Sequence, residues 1–313
     1  MYNIGIDIGG SKIAFGVVDE NGNIVHRTQI YNNAKINSEE QIKNIGEELQ
    51  KIIHDYEGIN SIGIGFPGKV NMKGVILNAP NIYFSDIDLA KELYKYTEIP
   101  IYVDNDANCA AVAEYVHGSL KGTRNSVFIT LGTGVGGGII IGGELYKGIN
   151  GGAGELGHQV IVMDGKQCGC GRRGCYEAYA STHAWEKRII ENLVQNKTSK
   201  IYELINGNPD ELNAKVIFNA IDMGDDFAQK SFKEHLSYIA VGIINLFEIL
   251  EPDVISIGGG ITAVKEKLLN PLLEEIEFQM KKCIFPLGDT KIRIAELGND
   301  AGIIGAAELY RFK

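Results

Sequence analysis

Residues 3–19 read NIGIDIGGSKIAFGVVD, and residues 126–145 read SVFITLGTGVGGGIIIGGEL. Each stretch is a pair of apolar, β-rich runs joined through a short glycine turn. In the first copy a third run follows, NIVHRTQIY at 23–31, after the hairpin signal Asn21-Gly22. Residues 38–56 then carry apolar side chains at helical spacing, Ile42, Ile45, Leu49, Ile52 and Ile53, with Ser38 as the expected N-cap. SIGIGFP (61–67) reads as a buried strand ending in a turn, DLAKELYKY (88–96) as a short helix, IYVDND (101–106) as a strand and ANCAAVAEYVHG (107–118) as an Ala-rich helix. At residue 126 the opening pattern begins again. Two β-β-β-α-β-α units predict a duplicated α/β fold of two domains with a cleft between them. Helices dominate 177–250, followed by the strand VISIGGG (254–260), a helix, the strand KIRIAEL (291–297) and a last helix from about 301. The expected division is an N-terminal domain of residues 1–118, completed by the C-terminal helix at 301–313, and a larger domain of 119–300. The expected junction is Gly118–Asn125.

The chain has 313 residues, 44% of them apolar and 22% charged, so it can build packed cores. Its net charge is −10 and its pI about 5.2. Such a surface repels phosphate backbones and acidic lipid, which argues against nucleic-acid and membrane partners. The opening MYNIGIDIGG has no basic region and no long apolar run, and no stretch reaches 18 apolar residues. The expected location is cytoplasmic. In that reducing compartment, clustered cysteines point to a metal rather than to disulfides. Three of the five cysteines, Cys168, Cys170 and Cys175, fall within eight residues, ten after His158.

Glycines concentrate in DIGGSK (7–12), LGTGVGGG (131–138) and IGGGI (257–261), each after a β-branched run. Glycine lets the backbone approach a ligand, and successive exposed N–H groups form an anion nest. None is a Walker motif, and the GxGxxG at 132–137 is followed by neither a helix nor a ribose-binding acid. Three such turns fit the phosphates and nucleoside of one nucleotide, with Asp7 placed to hold a water of Mg²⁺. VDNDANC (103–109) sets Asp104, Asn105 and Asp106 at a strand end, where α/β sheets bind ligands. An aspartate there can accept a proton from an attacking hydroxyl or cap the next helix. GELGH adds Glu155 and His158, and Glu177 follows the cysteines. Acids and amides around a cleft suit a polyhydroxylated substrate.

These motifs resemble the ROK kinases, bacterial sugar kinases of the actin-like ATPase (ribonuclease H-like) fold. The resemblance runs from DIGGSK to NDAGIIGAA and includes GFPG at 65–68, NAPN at 78–81, VDNDAN at 103–108, LGTGVGGG at 131–138, GELGH at 154–158 and CGCGRRGC at 168–175. It implies ATP-dependent phosphorylation of a hexose, with Asp106 as general base. It implies sugar contacts at Gly68, Asn81, Asn105, Asp106, Glu155, His158 and Glu177. It places the first phosphate turn at Gly9, Gly10, Ser11 and Lys12 with Asp7 near Mg²⁺, the second at Thr133 and Gly134, and the nucleoside at Gly259 and Gly260. The family's His…Cys-x-Cys-x4-Cys pattern puts a structural Zn²⁺ on His158, Cys168, Cys170 and Cys175, with one ring nitrogen of His158 on the metal and the other facing the sugar. Closure of the two halves would exclude water. Cys109 and Cys283 read as small buried hydrophobes.

GELGH, NAPN and an intact knuckle favour glucokinase. CGCGRRGCYEAYAS is also similar to N-acetylmannosamine kinases, and Ile82-Tyr83-Phe84-Ser85 departs from the Gly-Trp that glucokinases often carry there. A sugar-binding regulatory protein is the rival from another class. Against it stand a first strand beginning near Asn3, which leaves no room for a helix-turn-helix, and the acidic charge. The resemblance further implies a homodimer or homotetramer.

Overall fold

A computed structural model describes residues 1–32, 37–78, 84–281, 283–284 and 288–312. The elements run β1 (Tyr2–Ile8), β2 (Lys12–Asp19), β3 (Ile24–Tyr31), α1 (Ser38–Asp55), β4 (Ile59–Phe66), β5 (Lys69–Val70), β6 (Ile76–Asn78), α2 (Leu89–Leu93), β7 (Ile101–Asn105) and α3 (Asp106–His117). They continue with β8 (Ser126–Leu131), β9 (Val135–Ile141), β10 (Glu144–Leu145), α4 (Glu177–Ala180), α5 (Thr182–Leu193), α6 (Lys200–Leu204), α7 (Ala214–Asp222) and α8 (Asp226–Leu250). Last come β11 (Val254–Gly258), α9 (Glu266–Met280), β12 (Lys291–Ile294) and α10 (Ala301–Glu308). Among the described residues no helix is long and apolar enough to cross a membrane.

Two five-stranded sheets have the orders β3-β2-β1-β4-β7 and β10-β9-β8-β11-β12. In the first, β2 is antiparallel to β1 and β3, while β1, β4 and β7 run parallel. In the second, β10 is antiparallel to β9, and β11 is parallel to β12. The two orders correspond strand for strand, with a glycine-turn strand, β1 or β8, in the middle of each. The duplication read from the two hairpins is present in the topology.

The chain forms two compact units. The first holds Met1–Ile129, Gly137–Glu155 and Ala295–Lys313, and the second holds Thr130–Gly136 and Leu156–Ile294. The break expected at Gly118–Asn125 is thus displaced, because those residues stay in the first unit. Buried Glu114 is the reason. Its carboxylate accepts from Ser119 N at 2.8 Å, Ser119 Oγ at 2.7 Å, Glu296 N at 2.9 Å and Leu297 N at 2.8 Å. These bonds fasten both the chain after α3 and the returning C-terminal segment onto α3. The C-terminal segment belongs to the first unit from Ala295 onward.

Helix α1 begins where the periodicity put it, but Asn37, not Ser38, is its cap and accepts from Glu40 N at 2.9 Å. Its residues Ile42, Ile45, Leu49 and Ile52 are buried against Ile4 and Ile6 of β1 and Ile62 and Ile64 of β4. Strand alternation then turns Gly5 and Asp7 of β1, and Gly63 and Gly65 of β4, to the opposite face. There α3 and α10 pack, and they approach so closely that only glycine fits. A Cβ on Gly5 would lie 1.9 Å from Ile303 O, and one on Gly63 would lie 1.6 Å from Ala306 O. Both oxygens belong to the backbone of α10, which cannot yield without moving the helix. Gly63→Ala should therefore destabilise the protein by about 3 kcal/mol, the upper end of overpacking costs. Urea unfolding reads this directly, and an unchanged midpoint would mean that α10 shifts freely on the sheet.

In the second unit α8 packs on α4, α5, α7 and α9. Trp185 of α5 stacks on buried His235 of α8, with centroids 4.6 Å apart and planes at 8°. Cys109 is buried as expected. Cys283 is exposed, contrary to expectation: it lies past the end of α9, where its amide donates to Met280 O at 2.8 Å.

Candidate active site and zinc knuckle

The first unit gathers three polar segments at one sheet end. The register pairs Asp7 with Gly65 and Gly65 with Asp104. All three sit in one row on the face away from α1, and the bare Gly65 lets α3 approach between the two aspartates, with Cys109 Sγ 3.2 Å from where a Cβ would stand. The turn 9–11 joins β1 to β2, closed by Gly9 N on Lys12 O at 2.9 Å, with Gly10, Ser11 and Lys12 exposed. Asp7 lies against the first turn of α10, 2.8 Å from where a Cβ on Gly302 would stand. Burial raises its carboxyl above the ordinary range, and the Lys12 charge opposes that rise.

Asp104 is a structural anchor. It is buried, accepts from Asn105 N and Asn108 Nδ2 at 2.8 Å each, and pairs with Lys147 Nζ at 3.2 Å. Asn105, not an aspartate, caps α3, its Oδ1 accepting from Ala107 N at 2.9 Å and Asn108 N at 3.2 Å. Its Nδ2 donates to Gly68 O at 3.1 Å, which holds the GFPG bend to the start of α3. The second Nδ2 proton remains for a hydroxyl. Asp106 is the first residue of α3, half-buried. Burial pushes its carboxyl up to about 6, against the opposing Ala107 amide and with help from the Asp7 charge. A carboxylate poised there is a base at neutral pH. Asn81, with most of NAPN and the departure at 82–83, lies outside the described residues.

The second unit gathers the other half of the candidate residues. Strand β8 ends in the turn Gly132–Gly134, closed by Gly132 N on Gly134 O at 3.0 Å, with Thr133 exposed at its tip. Strand β9, not a helix, follows. Gly259 (φ +95°) ends β11 so close to β8 that a Cβ would meet Leu131 O at 2.2 Å. Gly259 and Gly260, the expected nucleoside turn, are thereby set beside the turn at 132–134, the expected second phosphate turn.

The knuckle is built from tight hydrogen bonds. Cys168 N donates to Arg172 O at 2.9 Å and Gly171 N to Cys168 O at 3.1 Å, with Gly171 at φ +89°. Gly174 N donates to Lys166 O at 2.8 Å, and a Cβ there would meet Val162 O at 1.7 Å. The ligand atoms of His158, Cys168, Cys170 and Cys175 lie within 4.8 Å of one another. Cys168 Sγ stands 3.7 Å from His158 Nδ1, and Cys170 Sγ stands 3.6 Å from Cys175 Sγ. A tetrahedral zinc with bonds of about 2.3 Å to sulfur requires edges of about 3.7 Å. The four residues fit that ion, and Nδ1 is the histidine atom turned to it. Burial pushes the Cys168 thiol up to about 12, so its thiolate needs the cation. Glu177, expected on the sugar, accepts from Val135 N at 2.9 Å through one oxygen and stands 3.7 Å from Cys168 Sγ with the other. It therefore links the knuckle to the turn at 132–134. Glu155 is exposed, after Gly154 at φ +86°.

The ROK family profile matches residues 3–313. This chain belongs to the ROK family. It is 36% identical over 317 residues to a glucokinase of Halalkalibacterium halodurans, covering 99% of this chain and 95% of that one. A crystal structure of a ROK family glucokinase from Streptomyces griseus in complex with glucose and AMPPNP superposes with a TM-score of 0.83, at 34% identity and 99% coverage of both chains. The xylose repressor of Bacillus subtilis is 29% identical over 98% of this chain and 76% of its own length. The fold is the actin-like ATPase type of the ROK sugar kinases.

Several residues that shape the ROK site were not singled out from sequence. Asn32, 2% exposed, holds the first glycine turn from β3: its Nδ2 donates to Gly9 O at 2.6 Å and its backbone N to Ser11 O at 2.9 Å. Lys147 neutralises Asp104 from 43 residues away. Glu114 orders the entry to α10. None lies in a motif, and only an unusual polar residue beside an apolar run, as in IYN at 30–32, could have marked them.

Proposed function

We propose that this ROK protein is an ATP-dependent glucokinase, converting glucose and ATP to glucose 6-phosphate and ADP. The observation that carries the reading is Asp106, a half-buried carboxylate raised to about 6 and flanked by residues that hold it in place. Relatives named glucokinases, matched over nearly their whole length, support glucose as the hexose.

Phosphoryl transfer has a loose transition state, so the protein mainly positions groups and neutralises charge. Asp106 accepts the proton of the sugar hydroxyl late in the step. The hydroxyl oxygen bonds to the γ-phosphorus, the bond from that phosphorus to the bridging β,γ oxygen breaks, and ADP leaves. Asn105 orients the sugar with its remaining Nδ2 proton, and Gly68, Asn81, Glu155, His158 and Glu177 are the further sugar contacts. The amides of Gly9–Lys12 and of Thr133–Gly134 hold the phosphates, and Gly259 and Gly260 hold the nucleoside. Asp7, a hard oxygen donor beside the first turn, would hold Mg²⁺, which shields the triphosphate when bound. Zinc on His158, Cys168, Cys170 and Cys175 is structural and fixes the ring of His158.

A coupled ADP-release assay with MgATP against glucose, mannose, N-acetylmannosamine, N-acetylglucosamine and fructose tests this. The expected result is turnover highest on glucose. Preference for N-acetylmannosamine would keep the mechanism and replace the substrate. No turnover on any sugar by zinc-loaded protein would favour a sugar-responsive regulator, the class to which the xylose repressors belong.

A further inference from the structure

The second unit contains a cavity of about 380 Å³ beside the turn at 132–134, and its wall on α5 has no role above. That is the size of a small-ligand site. Thr133 of the second glycine turn lines it, together with Lys166, Glu177, His183, Lys187 and Glu191. The last three recur every four residues along α5, so one stripe of the helix forms a wall. The same helix is fastened to the turn. Thr182 N donates to Gly132 O at 2.9 Å, His183 N to the same oxygen at 3.4 Å, and Thr182 Oγ1 to Leu131 O at 3.4 Å. These bonds fix the plane of the Gly132–Thr133 peptide and tie the wall to the turn.

The charges in the cavity balance in number but not in placement. Glu177 is committed to Val135 N and faces Cys168 Sγ. Glu191 stands 4.0 Å from Lys166 Nζ, so that pair is neutral. Lys187 has no ion-pair or hydrogen-bond partner among the described residues and is exposed to the cavity. The two lysines and the two glutamates sum to zero, but Lys187 alone has no carboxylate of the described residues at ion-pair distance, and His183 lies one turn before it. An unpaired ammonium on the cavity wall is a point of attachment for one anionic group beside the turn. The turn itself, Gly-Thr-Gly, contributes amide dipoles but no cation, and the chain carries a net charge of −10 that disfavours polyanions at long range.

We propose that Lys187, with His183, forms the cationic side of a phosphate subsite completed by Thr133, and that it holds the polyphosphate chain of the nucleotide. The inference rests on the reading that the turn at 132–134 binds ATP. Lys187 is thereby a binding residue for the phosphoryl donor, contributed by a helix outside every glycine motif.

The test is calorimetric titration of AMPPNP, without sugar, into wild type, Lys187→Met and Lys187→Arg. Lys187→Met should weaken AMPPNP about tenfold, the worth of a charge-assisted hydrogen bond. Lys187→Arg keeps the charge and should stay within about twofold. The methionine variant should also show a flatter dependence of affinity on salt. Its glucose dissociation constant, zinc content and melting temperature should match wild type, which a merely structural role would not allow. Unchanged AMPPNP affinity in Lys187→Met overturns the proposal. So does a change seen only with inorganic phosphate as probe, which would make the cavity a site for a free anion. Wild type that binds no AMPPNP overturns it as well. Because sugar is left out, failure to phosphorylate glucose bears on the glucokinase reading alone.

Discussion

Asp106→Asn should lower kcat by about 10²–10⁴ while leaving glucose affinity nearly unchanged. The amide keeps the shape of the side chain and its place at the start of α3, but it cannot accept the hydroxyl proton. The cap of α3 survives, because Asn105 makes it. In wild type, kcat should fall as pH drops through about 6, since a protonated Asp106 is no base. The sign for stability is opposite. A carboxyl whose folded value lies above its ordinary 3.8 binds its proton more tightly folded than unfolded. Its contribution is therefore present at low pH and is lost as pH rises towards and through about 6. The asparagine variant escapes that loss, so its melting temperature should gain on wild type above pH 6 and match it below pH 4. Rate and melting curves over one pH series check both statements. Full turnover by the variant would remove Asp106 from the role of base.

Loss of the knuckle metal should be the second large effect. Structural zinc contributes on the order of 10 kcal/mol in small zinc domains. Here the knuckle is one part of a larger unit, yet the chain around it has little other support: Cys170 is exposed and the segment is held by turns. Cys168→Ala should take zinc from about one ion per chain to none and lower the melting temperature by roughly 10 °C. Glucose affinity should fall with it, because Nδ1 of His158 then has no ion to fix the ring. Metal content, melting and glucose titration on one sample decide the matter. A zinc-free variant with normal glucose affinity would sink the orienting role of His158.

Much of this was legible in the sequence because it is local. Alternation in NIGIDI places Ile4, Ile6 and Ile8 on one face and Gly5 and Asp7 on the other, whatever the rest of the chain does. Glycines at 9–10 and 132–134 mark turns because a side chain restricts the backbone there, and the repeated hairpin announced a repeated sheet. Cys168, Cys170 and Cys175 are so close along the chain that a short turn suffices to bring their sulfurs to one ion, and only His158 had to be supplied from further away.

Tertiary structure decided what depends on residues distant along the chain. The register that aligns Asp7, Gly65 and Asp104 joins three segments up to 97 residues apart, and no spacing encodes a register. Asn32 reaches Gly9 because β3 and β1 end on the same side of one sheet, and Lys147 reaches Asp104 from the segment after β10, a strand of the other sheet. Glu177 is a candidate sugar acid in sequence, and its further partners show only in the fold. The fold turns it onto Val135 N and Cys168, where a buried amide and a ligand thiol both face it. Local pattern determined which residues could do the chemistry, and long-range packing determined which polar groups were already spoken for. Burial makes each unpaired polar atom costly, so the second set is settled only when the whole chain has folded.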